Sequence, residues 1–216
     1  MPRMLAVLIV GLLVSACSSL PNVYEFHDPL TPAEHLALGV SYESEGKASL
    51  AIAEYKKVIE SDEHDQGATA RVFLGNVYAG LEQYQTAEGY YRDALSLDPH
   101  RGQALNNLAS ILVIQGIKLE EAEVSTRTAL AEAELGRNAG QKGVYLETLG
   151  EVLLRQGRYV EALENFQKAE AFKDKGKPYG AFQLYINMAD TYEKLGRMVE
   201  AKEARQRAED FSWIAR

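Results

Sequence analysis

Cysteine occurs once in the 216 residues, at Cys17, so no disulfide can form within the chain. Stability has to come from packing, which an apolar fraction of 46% allows. Long apolar runs are also missing. The uncharged stretch from Met4 to Ala16 has 13 residues, short of the roughly 20 that cross a bilayer as a helix. Basic charge is scarce: 23 Lys and Arg stand against 31 Asp and Glu, for a net charge of −8. With no sustained basic patch to neutralise phosphates, nucleic acid is excluded as a partner. Catalytic signatures are absent too. There is no GxSxG, no HExxH and no glycine-rich phosphate loop, so the chain reads as non-enzymatic and without a cofactor.

What is present begins at the N-terminus. Arg3 supplies a positive start, "MLAVLIVGLLV" is apolar, and Ser15 and Ala16 are small residues just before Cys17, the three parts of an export signal. The stretch "VSAC" resembles the lipobox of bacterial lipoproteins. That resemblance implies that residues 1–16 are a signal peptide, cut before Cys17, and that Cys17 is acylated. Ser18 stands where lipoproteins kept at the inner membrane often carry Asp, which implies an outer-membrane anchor facing the periplasm. The cut chain keeps 22 Lys and Arg against 31 Asp and Glu, a net charge of −9. Residues 17–31 then form the lipidated N-terminus and a tether, whose residues 18–30 reach at most about 45 Å.

The rest of the chain repeats. Gly39, Gly75, Ala109, Gly150 and Ala189 are each followed 12 or 13 residues later by an alanine: Ala51, Ala87, Ala122, Ala162 and Ala201. Around the small residues run "LGVSY", "LGNVY", "LASIL", "LGEVL" and "MADTY". Small residues on both helices let a pair approach to about 8 Å. Tyr42, Tyr78 and Tyr192 follow the first small residue by three; Tyr55, Tyr91 and Phe166 follow the alanine by four, on the same helix faces. These aromatics are expected to fill the gaps between adjacent pairs.

The pattern resembles the tetratricopeptide repeat (TPR). It implies an all-α, right-handed superhelical solenoid of about five helix pairs over residues 32–216, with repeats starting near 32, 68, 102, 143 and 182. In "TPAE", Thr31, Pro32 and Glu34 suit a helix start. Phe211, Trp213 and Ile214 are expected to cap the final core. Repeats three and five carry Thr126 and Arg205 where the aromatic belongs, so their second helices are expected to pack less fully. Repeat three also gains a residue in "IKLEEA", and repeat two has "GLE" where a turn glycine is expected one residue later. The loops "ELGRNAGQKG" and "FKDKGKPYG" read as flexible and solvated, with Lys173, Lys175 and Lys177 as contacts for an acidic partner.

No metal site is expected. Asp62, Glu63, His64 and Asp65 cluster in a charged turn, and His27, His35 and His100 lack spaced partners. The resemblance puts the functional surface on the concave face of the first helices, with Asn76, Asn106, Asn107, Ser110, Glu147, Glu151, Asn187, Asp190 and Glu193 on it. Asn76 and Asn107 fall where peptide-binding repeats hold a ligand backbone, since an amide can both donate and accept. The alternative role for these asparagines is to keep an exposed helix soluble. Glu147, Glu151 and Asp190 would favour a basic side chain of the ligand. The positions that clamp a terminal carboxylate elsewhere hold Val72, Val144 and Thr148, which argues against such a clamp.

The function implied is an interaction scaffold that binds an envelope protein through its groove. Signal and architecture are similar to TPR lipoproteins that act as pilotins for type IV pilus secretins. The alternatives are an adaptor for cell-wall hydrolases or outer-membrane protein assembly, and a subunit of an envelope enzyme.

Overall fold

The computed structural model describes residues 28–61, 64–172 and 181–212, with the backbone alone at 64 and 212. Cys17 with the chain up to residue 27, Asp62, Glu63, Lys173, Lys175, Lys177, Trp213 and Ile214 lie outside the described residues. The described residues hold ten α-helices and no strand. They run as five pairs: α1 (Pro32–Ser44) with α2 (Ala48–Glu60), α3 (His64–Gly80) with α4 (Tyr84–Leu97), and α5 (Gly102–Gln115) with α6 (Leu119–Glu134). After a 3-10 turn at Ala139–Gln141 come α7 (Lys142–Arg155) with α8 (Tyr159–Glu170), then α9 (Ala181–Lys194) with α10 (Met198–Ser212). Helix α3 opens at His64, a turn ahead of the repeat start read near 68.

The small residues have a definite job inside each pair. A Cβ added to Gly39, Gly75 or Gly150 would overlap the ring edge of Tyr55, Tyr91 or Phe166, the aromatic of the same repeat's second helix. Each ring therefore occupies the space that a first-helix side chain would fill. All three rings are buried, and burying a large side chain contributes roughly 1.5–3 kcal/mol. Tyr55 also touches Phe73 of the next pair, ring centroids 5.4 Å apart, as the gap-filling expectation requires.

Where the ring is missing, so is the glycine. Ala109 is paired with Thr126 and Ala189 with Arg205, so a methyl on the first helix takes up space the ring would fill. The expected loose packing fails in repeat three, where Ala109, Ala122 and Thr126 are all fully buried. The Thr126 hydroxyl is satisfied by donating to the Ala122 carbonyl at 2.8 Å.

The turns inside the pairs close alike. Lys47, Gln83, Ile117, Arg158 and Arg197 each donate a backbone N–H to the carbonyl five residues back, across a residue of positive φ. Glycine usually fills that position, but in repeat two Glu82 adopts it, at φ 59°. The residue inserted in repeat three is absorbed by a second left-handed residue, Lys118, at φ 49°. The loop after α6, read as flexible, is instead folded: Arg137 N–H closes on the Glu132 carbonyl at 3.0 Å, and Gln141 N–H on Asn138 at 2.8 Å.

Second helices are laced together by charge along the outer edge. Arg92 bridges to Glu121 at 2.7 Å and Lys118 to Glu88 at 3.0 Å, joining repeats two and three. Arg158 joins Glu123 at 2.8 Å, linking repeats three and four. Such solvated pairs contribute about 0–1 kcal/mol each.

Candidate peptide-binding groove

Each first helix packs not only on its own partner but also on the next first helix, α1 on α3, α3 on α5, α5 on α7 and α7 on α9. First helices therefore line the inner curve. One position on that curve, directly after the small residue, organises the face: Val40, Asn76, Ser110, Glu151 and Asp190. Opposite it in the second helix stand Tyr55, Tyr91, Thr126, Phe166 and Arg205.

What the second helix offers decides what the inner position does. The Tyr91 hydroxyl donates to Asn76 Oδ1 at 2.8 Å, and burial raises its pKa, so it stays a donor. Arg205 donates to Asp190 Oδ1 at 3.1 Å and to Glu193 Oε1 at 2.8 Å. Val40 cannot accept, so the Tyr55 hydroxyl turns to Glu43 Oε2 at 2.9 Å. Phe166 has nothing to donate to Glu151. That carboxylate accepts instead from Asn187 Nδ2 of the next repeat at 2.7 Å, while Gln183 Nε2 donates to Asn187 Oδ1 at 3.0 Å. Burial first, then the charge of Glu147, pushes the Glu151 carboxyl above its usual range, against the pull of the Asn187 bond and of Arg155.

The structure separates the residues expected on the groove. Asn76 and Asn107 are together: Asn107 Nδ2 donates to Asn76 Oδ1 at 2.8 Å, so this acceptor takes two protein donors. Glu151, Asn187 and Asp190 border one open groove of about 690 Å³ across repeats three to five. Glu147 is half-buried a turn before Glu151, and the Ser110 hydroxyl donates to the Asn106 carbonyl at 3.1 Å. Asn106 is a correction. It is 3% exposed and its Oδ1 has no partner, so it belongs to the interior of α5 rather than to the face. Two of the acidic residues are partly engaged: Glu151 Oε1 accepts from Asn187 and Asp190 Oδ1 from Arg205, which leaves the second oxygen of each to a ligand. Of the clamp positions, Val72 and Thr148 are buried.

Sequence reasoning missed Ile114, Arg155, Gln183 and Lys194, which share that groove. The signal was available. Each lies four residues from a residue already singled out, Ser110, Glu151, Asn187 and Asp190, and so on the same helix face. Two of these histidines do have partners, far off in sequence: His35 Nδ1 is 2.6 Å from Glu54, and His100 Nδ1 is 2.8 Å from Glu132. Asp65 is salt-bridged to Arg101 at 2.8 Å. Among the described residues no group of three His, Cys, Asp or Glu side chains converges, and no helix is long and apolar enough to cross a membrane.

Models of the tetratricopeptide repeat match residues 36–101, 74–129 and 182–210, more than half of the chain. The chain is a tetratricopeptide-repeat protein. In sequence it is similar to the protein O-mannosyl-transferase Tmtc1 of Drosophila melanogaster, 33% identical over 104 residues. That match takes in 47% of this chain and spans only 12% of Tmtc1. In fold it is similar to PilF of Pseudomonas aeruginosa, at 24% identity and a TM-score of 0.69, covering 84% of this chain and 76% of PilF. It is also similar to PilW, a widely conserved type IV pilus biogenesis factor, at 17% identity and a TM-score of 0.71 over 83% of this chain and 77% of PilW. Repeat arrays of this family generally bind protein or peptide partners.

Proposed function

We propose that the chain is a non-enzymatic scaffold that holds an extended segment of another envelope protein along its inner face, in type IV pilus or secretin assembly. Lipid on Cys17 anchors it to the outer membrane, facing the periplasm. The observation that carries the reading is the open groove over α5, α7 and α9, lined by the exposed side chain of Ile114 and by the exposed amide of Gln183. Apolar contact and amide hydrogen bonding in one furrow suit a peptide backbone with alternating side chains. The pilus setting is supported by the likeness to PilW together with the lipobox.

Site-specific photo-crosslinking in cells tests this. A crosslinker at Ile114 should capture a secretin or another pilus protein, and one at Val124, exposed on α6, should not. Equal capture from both sites, or none from Ile114, defeats the groove reading. Capture of a cell-wall hydrolase or an outer-membrane assembly factor at Ile114 would keep the groove and replace the pilus assignment.

A further inference from the structure

Two cations line the groove without a hydrogen bond or ion pair. Arg155 stands one turn beyond Glu151 on α7, and Lys194 one turn beyond Asp190 on α9. An acid four residues ahead of a base is the favourable order for an ion pair along a helix, and elsewhere the chain uses its charges that way, as in Glu123–Arg127 at 2.7 Å. Neither groove pair forms. Glu151 Oε1 is drawn aside by Asn187 at 2.7 Å, and Asp190 Oδ1 by Arg205 at 3.1 Å. Arg155 is the one arginine among the described residues without a hydrogen bond or ion pair, while Arg71, Arg92, Arg101, Arg127, Arg137, Arg158, Arg197, Arg205 and Arg207 all have one. Lys194 has none either.

The groove therefore carries two cations without a bonded counter-ion, although the protein as a whole is acidic. Resting on the groove reading above, we infer that Arg155 and Lys194 receive an acidic side chain, Asp or Glu, of the extended partner segment. A carboxylate seated between a guanidinium and an ammonium gains charge-assisted hydrogen bonds stronger than neutral ones. The same side chain completes the pairing that Asn187 and Arg205 deny to the two cations. The ligand preference is thus opposite in sign to that expected from Glu147, Glu151 and Asp190 on sequence alone. Its origin lies in the second-helix residues: Phe166 cannot occupy Glu151, so Asn187 does, and Arg205 occupies Asp190.

The test uses the full chain in detergent and a library of short peptides, acetylated and amidated so that only side chains carry charge. Wild-type protein should select peptides with Asp or Glu at one fixed position. Replacing that acid by its amide should weaken binding about tenfold to wild type and at most about twofold to the double variant R155Q/K194Q, the signature of a direct coupling. Both substituted residues are exposed, so helicity and melting should be unchanged in the variant. Selected peptides without acidic bias, or the same acid-to-amide loss on both proteins, overturn the inference and leave the groove reading standing. Binding confined to a parallel set with free C-termini overturns the side-chain assignment. If no peptide binds wild type, both readings fall.

Discussion

The hydroxyl of Tyr91 donates to Asn76 Oδ1 at 2.8 Å, and Asn107 Nδ2 donates to the same oxygen at 2.8 Å. Asn76 is thereby part of the repeat's own packing before any ligand arrives. Asn76→Ala strands the buried Tyr91 hydroxyl and should destabilise the chain by about 1–3 kcal/mol. Adding Tyr91→Phe should recover part of that loss. Asn107→Ala should cost about 0.5 kcal/mol or less. Urea titrations of the four proteins check this; equal stability of N76A and wild type would remove the bond from the fold's energetics.

Gly150→Ala pushes a methyl into the Phe166 ring and should cost about 1–3 kcal/mol. The double variant G150A/F166T copies the Ala109–Thr126 pairing of repeat three. It should be less destabilised than the two single changes added together, because the clash exists only with both large groups present. Strict additivity in thermal melts would show that the two positions do not share space.

Glu82 holds a left-handed conformation that glycine adopts freely. Glu82→Gly should raise stability by about 1 kcal/mol, the cost of that conformation for a residue with a Cβ. Any loss of stability on denaturant unfolding would mean that the Glu82 side chain makes a contact worth more than the relieved strain.

Burial raises the Glu151 carboxyl, so the folded chain holds this proton more tightly than the unfolded chain does. The stability tied to it is fully present below the ordinary Glu range and is lost as pH rises through the raised value. Glu151→Gln keeps an acceptor for Asn187 and removes the charge. It should melt above wild type at about pH 8 and converge with it at about pH 4, beneath the usual Glu value. A difference independent of pH would refute the account.

Cys17→Ala should leave the protein without acyl chains and release it from the membrane fraction, since the apolar stretch before it is too short to span. Mass spectrometry of the wild-type N-terminus decides the matter. An unmodified Cys17 in mature protein rules the anchor out.

The fold was legible because its determinants are close in sequence. Gly39 and Ala51, or Gly150 and Ala162, are separated by one helix–turn–helix, so a fixed spacing records a fixed contact. The chemistry of the groove was not. Asn187 and Glu151 are 36 residues apart and Tyr91 and Asn76 are 15 apart, in pairings whose partners vary from repeat to repeat. Residue type alone suggested an acidic face, and only the competition for Glu151 and Asp190 shows which charges are left over. Asn106 and its neighbour Asn107 were read onto one face, but only Asn107 reaches Asn76; on a helix, consecutive residues point about 100° apart.

The matching of glycine to ring, and of alanine to its absence, limits how such an array can be rearranged over evolutionary time. An exchange of whole repeats keeps Gly75 with Tyr91 and Ala109 with Thr126, and every new junction inherits a compatible pair. A crossover whose breakpoint falls in the turn between two helices would join the first half of repeat three to the second half of repeat two and set Ala109 against a tyrosine ring. Duplication and shuffling should therefore leave breakpoints between helix pairs rather than within them, so that the heritable module is the pair.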